Sequence, residues 1–270
     1  MSTLPFHHNV VILTGASSGI GRAMALHLAA QGARLALAAR NADALGEVAE
    51  QCRARGGEAL AVPTDVSDPA QCRALVERAA AEFGRIDTLV NNAGISMWAR
   101  FDQMQTLAPF EAIMRVNYLG CVYLTYYALP HLKQSRGRLV GVSSLAGKNG
   151  VPTRSGYAAS KHAMVGFFDT LRIELLGTGV TVTLIYPDFV TSEIRERAFG
   201  PDGQPLGKGN SPVHEGEVMS AEDCARIAVR GMARRQREVI MGRGKIGQWV
   251  KLIAPGLIDR VALRAIERGR

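Results

Sequence analysis

"VVILTGASSGIG" (residues 10–21) sets a short unbroken apolar run directly before a turn holding Gly15, Gly19 and Gly21. The residues that follow, "IGRAMALHLAAQG" (20–32), carry helical spacing. An apolar run without alternation is the pattern of a strand buried on both faces, as in a parallel sheet. A turn leading from such a strand into a helix is where a doubly wound sheet receives phosphate: glycines let the backbone bend and approach, and the helix N-terminus offers free N–H groups.

Working outward, the same rhythm repeats. "RLALAAR" (34–40), "EALAVPTD" (58–65), "RIDTLVNN" (85–92), "GRLVGVSS" (137–144), "VTVTLIYP" (180–187) and "REVIMG" (237–242) read as strands, separated by helical segments. One of these opens near Asp68-Pro69, and a long one runs from about Thr106 to Lys133. The expected architecture is one α/β domain over 1–270, with about seven parallel strands and helices on both faces. The Gly- and Pro-rich stretch within 188–220 breaks the rhythm and is expected to be a lid over a bound substrate, with an unstructured surface loop as the alternative.

The bulk properties narrow the classes. The 270 residues carry 32 Lys and Arg against 24 Asp and Glu, a net charge of +8. From Glu222 onward there are 12 basic and 5 acidic residues, so most of the excess lies near the end of the chain. No basic patch interleaved with aromatics accompanies it, which argues against nucleic acid. Cys52, Cys72, Cys121 and Cys224 form no CxxC pair, a pattern expected of a reducing cytoplasm rather than of a disulfide framework or zinc site. No signal-like start or membrane-length apolar run is read, and no metal is expected.

The glycine spacing is G-x-x-x-G-x-G rather than the G-x-G-x-x-G of the common dinucleotide fingerprint. Together with "NNAG" (91–94), Asn117 in "VNYLG", Ser144 in "GVSSLAG" and "YAASK" (157–161), it resembles the short-chain dehydrogenase/reductase family over about residues 9–191. The resemblance implies a single Rossmann-type domain and a nicotinamide cofactor. It sets Gly15, Ser17, Ser18, Gly19, Ile20 and Gly21 against the phosphates, and Asp65 with Val66 near the adenine. Asn91, Ala93 and Gly94 would border the riboses, and Pro187, Val190 and Thr191 the nicotinamide. Asp65 reads about equally well as a helix cap, and the alternative for Thr191 is a cap for a helix over "SEIRERAF".

Tyr157 and Lys161 stand four apart, on one face of a helix. Reducing a ketone leaves an alkoxide that needs a proton, and tyrosine, with a pKa of ~10, holds its proton firmly at neutral pH. An adjacent ammonium favours the phenolate and makes Tyr157 a usable acid or base. By resemblance, Lys161 also holds the nicotinamide ribose, Ser144 rather than Ser143 positions the substrate oxygen, and Asn117 completes a proton relay. Met97, Trp98, Val151 and Phe189 are candidates for an apolar substrate wall.

NAD enzymes place an acid at the end of the second strand. Here Ala39 and then Arg40 stand there, and an arginine suits a 2′-phosphate, so NADP(H) is expected ahead of NAD(H). The usual Pro-Gly after the sixth strand is Pro187-Asp188 in this chain. Residues 244–270 hold two amphipathic basic segments, suited to an anionic membrane surface, the pocket or a partner subunit. The aromatic-bearing long helices imply, by resemblance, a homodimer or homotetramer. The reading is a cytoplasmic NADP(H)-dependent oxidoreductase interconverting a carbonyl and a secondary alcohol. "VSSLAGK" (142–148) is similar to steroid-active members, so the substrate is expected to be apolar. The alternative is a dinucleotide-binding regulatory protein without turnover.

Overall fold

The computed structural model describes residues 4–191, 193–207, 218–242 and 244–267. Its elements run β1 (Val10–Thr14), α1 (Gly19–Ala29), β2 (Arg34–Ala39), α2 (Ala42–Arg53), β3 (Glu58–Pro63), α3 (Pro69–Phe83), β4 (Thr88–Asn91), α4 (Ala108–Met114), α5 (Gly120–Ser135), β5 (Arg138–Val142), α6 (Ser155–Glu174), β6 (Thr181–Tyr186), α7 (Ala221–Ala233), β7 (Glu238–Ile240), α8 (Gly244–Ile253) and α9 (Pro255–Glu267). The seven strands form one sheet in the order β3-β2-β1-β4-β5-β6-β7, and every pairing is parallel. The chain reverses direction across the sheet between β1 and β4, the place where doubly wound sheets bind ligands.

The apolar runs become strands because helices cover both faces. Val11, Leu13, Leu35 and Leu37 pack on one side with Met24 and Leu28 of α1 and Ala228 and Met232 of α7. Ile12, Ala36 and Leu89, one residue out of step, pack on the other with Leu75 of α3, Leu124 of α5 and Phe168 of α6. Local chemistry sets the helix ends. Asn41 accepts from the Ala44 N–H at 3.1 Å to cap α2. Asp68 caps α3 ahead of Pro69, and Gly84 ends that helix at φ 75°. The α3 cap is therefore Asp68 and not Asp65, whose Oδ1 instead accepts from the Ser67 N–H and hydroxyl at 2.9 and 2.7 Å.

Two expectations change in detail. The long helix expected over 106–133 is interrupted: α4 and α5 are joined by a wider π turn at Arg115–Leu119, with Asn117 inside it. Such turns inside helices are frequent at functional sites. The helix expected over "SEIRERAF" is a series of turns across residues 193–197. Of the expected lid, residues 192 and 208–217 lie outside the described residues. Its described part docks on the loop after β4, where the Phe199 N–H donates to the Ser96 carbonyl at 3.0 Å and the Trp98 N–H to the Phe199 carbonyl at 2.8 Å.

Of the long-helix aromatics, Phe168 is buried, Tyr127 and Phe167 are half-buried, and Tyr126 is exposed. The four cysteines are buried free thiols, and burial pushes all of them up, Cys52 to about 11 and Cys72, Cys121 and Cys224 to about 12. They are unreactive at neutral pH. In α8 and α9, Trp249, Leu252, Ile253, Leu257 and Val261 are exposed. No helix among the described residues is long and apolar enough to cross a membrane.

Candidate active site

The site lies at the carboxyl ends of β1, β4 and β5. Thr14, the last residue of β1, ties two loops together: its hydroxyl donates to the Val90 carbonyl at 3.3 Å and accepts from the Asn92 and Ala93 N–H groups at 3.0 Å. The Asn92 carboxamide returns to the Thr14 and Gly15 carbonyls at 2.8 and 3.3 Å. Neither Thr14 nor Asn92 stood out in the sequence, although the Thr-Gly and Asn-Asn pairs were both in view.

Gly15 has φ +64°, and a Cβ there would lie 2.9 Å from the Ala93 Cα. A Cβ on Gly21 would lie 2.0 Å from the Gly15 carbonyl oxygen. These two glycines are required by the turn's own packing and by its closeness to Ala93, while Gly19 takes φ +52° where α1 begins. Ser18 precedes α1 in extended conformation and its side chain caps nothing, so the first N–H groups of the helix stay available beside half-buried Ser17, Ser18 and Ile20. Asn91 is buried with neither atom of its carboxamide bonded among the described residues. A close backbone cradle, an uncapped helix start and an unpaired buried amide fit a dinucleotide phosphate with polar groups beyond it.

At the end of β2, Arg40 is exposed and enters no ion pair among the described residues, and Asn41 beside it is committed to capping α2. Val66 is buried against Gly120, whose added Cβ would meet the Val66 carbonyl at 2.9 Å. Asp65 remains half-buried at the end of β3.

Tyr157 and Lys161 both lie in the first half of α6. Lys161 is 3% exposed. Its Nζ donates to the Val142 carbonyl at 2.9 Å and lies 5.7 Å from the centre of the Tyr157 ring. Gly94 is the floor here: a Cβ on it would stand 3.6 Å from Lys161 Nζ and 3.3 Å from Asn117 Oδ1. Asn117 is fully buried, donating to the Ile95 carbonyl and the Ser160 hydroxyl, each at 2.9 Å, and accepting from the Ile95 N–H at 2.8 Å. Ser160, which sequence reasoning passed over, in turn donates to the Tyr157 carbonyl at 2.7 Å.

The two serines after β5 separate clearly. Ser143 is buried and donates to the Lys161 carbonyl at 3.4 Å. Ser144 is half-buried, and its Oγ accepts from the Ala146 N–H at 3.2 Å, leaving its own proton to give. Around them, Met97, Ile113, Ala146, Tyr157 and Ala158 form a small apolar cluster, with Val151 packed against it. Met97 is fully buried, its sulfur accepting from the Gly156 N–H at 3.2 Å, so it supports the Tyr157 helix from beneath. Trp98 and Phe189 keep open surface.

Asp188 in the usual glycine position is accommodated without strain, because its φ is not positive. Its carboxylate accepts from the Phe189 N–H at 2.9 Å and faces Gly242, where a Cβ would meet it at 2.2 Å. Pro187 accepts from the Leu145 N–H through its carbonyl, and Val190 is buried. Thr191 is exposed and pairs through its N–H with the Met219 carbonyl rather than capping a helix.

The short chain dehydrogenase family model matches residues 9–201, the span that holds this whole arrangement. The chain belongs to that family. Among curated short-chain dehydrogenase relatives, it is 40% identical over 256 residues to 11-beta-hydroxysteroid dehydrogenase 1A of Arabidopsis thaliana, covering 93% of this chain and 73% of that one. It is 37% identical over 257 residues to 11-beta-hydroxysteroid dehydrogenase A of Sesamum indicum, covering 93% and 74%. A short-chain dehydrogenase/reductase from Burkholderia phymatum, solved in complex with NAD, superposes with a TM-score of 0.79 at 29% identity, over 90% of this chain and 92% of that one. The protein is an oxidoreductase of this family with its Rossmann fold, and the family binds a nicotinamide dinucleotide.

Proposed function

We propose that the protein interconverts a ketone and a secondary alcohol on an apolar, steroid-like skeleton, with Tyr157 as acid and base and NADP(H) as cofactor. The observation that carries the reading is the Lys161 ammonium, buried, held by the Val142 carbonyl and 5.7 Å from the Tyr157 ring. A buried cation is costly unless something uses its charge. When bound, the nicotinamide supplies or takes up the hydride. Gly15, Gly19, Gly21 and the start of α1 would hold the phosphates, and Asn91, Ala93, Gly94, Pro187, Val190 and Thr191 would line the rest.

The chain's own residues handle the proton. Ser144 donates to the substrate oxygen and fixes its position. Tyr157 delivers its hydroxyl proton to that oxygen in reduction, and the Lys161 charge stabilises the phenolate left behind. Asn117 beside Gly94 anchors the route by which a proton returns from solvent, past Lys161, to the Tyr157 phenolate. The relatives named 11-beta-hydroxysteroid dehydrogenases support a steroid-like substrate, and half-buried Trp98, Val151 and Phe189 support an apolar wall.

NADP(H) rests on Arg40 at the end of β2, free of an acidic partner among the described residues. NADPH oxidation with steroid ketones, run beside NADH, tests the reaction and the cofactor together. Arg40→Ala is expected to cut the preference for NADPH over NADH by about ten- to a hundredfold, the worth of a charge-assisted contact to phosphate. Equal use of NADH by the unaltered protein would contradict the NADP(H) reading; the Burkholderia protein holds NAD.

Exposed Tyr126 on α5, with exposed Ile173 at the end of α6 and Leu176 in the turn after it, supports self-association. Trp249, Leu252 and Ile253, exposed beside Lys251, support contact of α8 with an anionic lipid surface. Sedimentation with and without phosphatidylserine vesicles reads both. A chain ending at residue 242 should keep its oligomer mass and lose the vesicles; retention on vesicles would contradict the lipid contact.

A further inference from the structure

Two arginines beside Tyr157 stand out because no carboxylate among the described residues pairs with them. Arg154 immediately precedes α6, three residues before Tyr157, and interacts electrostatically with it. Its guanidinium carbon lies 4.3 Å from the centre of the Trp98 ring and 5.9 Å from that of Phe189. Arg195, in the turns after β6, lies 5.6 Å from the Phe189 ring. One aromatic ring therefore carries a guanidinium group from each of two distant segments. Arg154 Nε and Arg195 Nη2 are buried and have no hydrogen-bond partner among the described residues.

Other arginines of the chain show what ordinary pairing looks like here. Arg85 forks onto Asp87 at 2.6 Å, Arg100 meets Asp102 at 2.9 Å, and Arg197, in the same turns as Arg195, takes the local carboxylate of Glu193. Burial pushes Arg154 down to about 10, with Tyr157 opposing and the like charge of Arg195 adding to it; burial also pushes Arg195 down. Two partly desolvated cations placed near each other, with no carboxylate among the described residues to pair them, destabilise the fold unless a ligand anion meets them.

We infer that Arg154 and Arg195 form a subsite for a carboxylate carried by the substrate, with Trp98 and Phe189 against its apolar body. The planar fork of arginine suits a carboxylate in two parallel hydrogen bonds, and its flat face suits an aromatic ring. The inference deepens the proposed reaction and rests on Tyr157 marking the reacting end. It restricts the substrate class to amphiphilic keto or hydroxy acids. The same chemistry would hold a cofactor phosphate, so the test separates the two sources.

The probes are the steroid triketone dehydrocholate and its uncharged primary amide, titrated by calorimetry into the full-length protein. Arg154→Met and Arg195→Met are titrated alongside, and NADPH is titrated separately into all three. The carboxylate is expected to bind about ten- to a hundredfold more tightly than the amide, and each substitution should collapse that difference. Arg195→Met, in a turn rather than at the start of a long helix, serves if Arg154→Met fails to fold. Equal binding of acid and amide, binding of neither, or a preference that survives both substitutions would overturn the subsite. So would a loss confined to NADPH affinity, which assigns the arginines to the cofactor. A preference for the acid without any Tyr157-dependent turnover would leave the subsite standing and sink the proposed reaction instead.

Discussion

Tyr157→Phe is expected to fold normally and to lose turnover. The side chain is 7% exposed and packs with Met97, Ile113, Ala146 and Ala158, contacts that its ring makes and phenylalanine would keep. Its hydroxyl makes no hydrogen bond to another described residue, so removing it leaves no buried partner unpaired. What disappears is the proton donor, a contribution of about a hundred- to ten-thousandfold in kcat. Steady-state NADPH oxidation with a steroid ketone, alongside a thermal melt, measures both parts. A melt that falls together with activity would mark Tyr157 as structural, whereas an unchanged melt with near-normal turnover would move the acid elsewhere.

Gly21→Ala is the second large effect expected, and it acts through backbone. The added Cβ would stand 2.0 Å from the Gly15 carbonyl oxygen and 2.6 Å from Asn92 Nδ2, so the turn must open. Neither neighbour yields easily, because Asn92 is bonded to the carbonyls of Thr14 and Gly15. Overpacking of this kind costs about 1–3 kcal/mol. An opened turn also separates the glycine loop from Ala93, and cofactor affinity should fall by at least about tenfold, equivalent to ~1.4 kcal/mol. Gly46→Ala is the control: nothing lies within 4 Å of its added Cβ in α2, so stability should be unchanged or raised by up to about 1 kcal/mol. Thermal melts and NADPH titrations of the two variants compare them directly, and a Gly21→Ala protein as stable and as tight as the original would contradict the packing argument.

Much of the fold was legible because strands buried on both faces must be continuously apolar. "VVILT" over 10–14 became β1 without adjustment, and the remaining strands differ from their expected spans by at most about three residues at an end. The candidate site was legible where the proposed chemistry and local spacing coincide, as in the four-residue step from Tyr157 to Lys161. Other features depended on residues far apart in the chain. Choosing between Ser143 and Ser144 by contact needed the Lys161 carbonyl, which turns the first serine inward. The π turn around Asn117 carries no local signature, because regular helix satisfies the same apolar pattern. Asp188 raised doubt only because glycine was expected, and its ordinary φ removes the reason for glycine. Arg154 and Arg195 lie 41 positions apart in the sequence and come together at the Phe189 ring.

Hydride transfer between cofactor and ketone is tested by following the hydride itself. Protein, a steroid ketone and NADPH deuterated at the transferring position are mixed, and the alcohol product is read by mass spectrometry. One deuterium is expected on the carbinol carbon of each product molecule, formed by the unaltered protein and not by Tyr157→Phe. Tight NADPH binding with no labelled alcohol from a range of steroid ketones and keto acids would contradict it and favour a dinucleotide-binding protein without turnover.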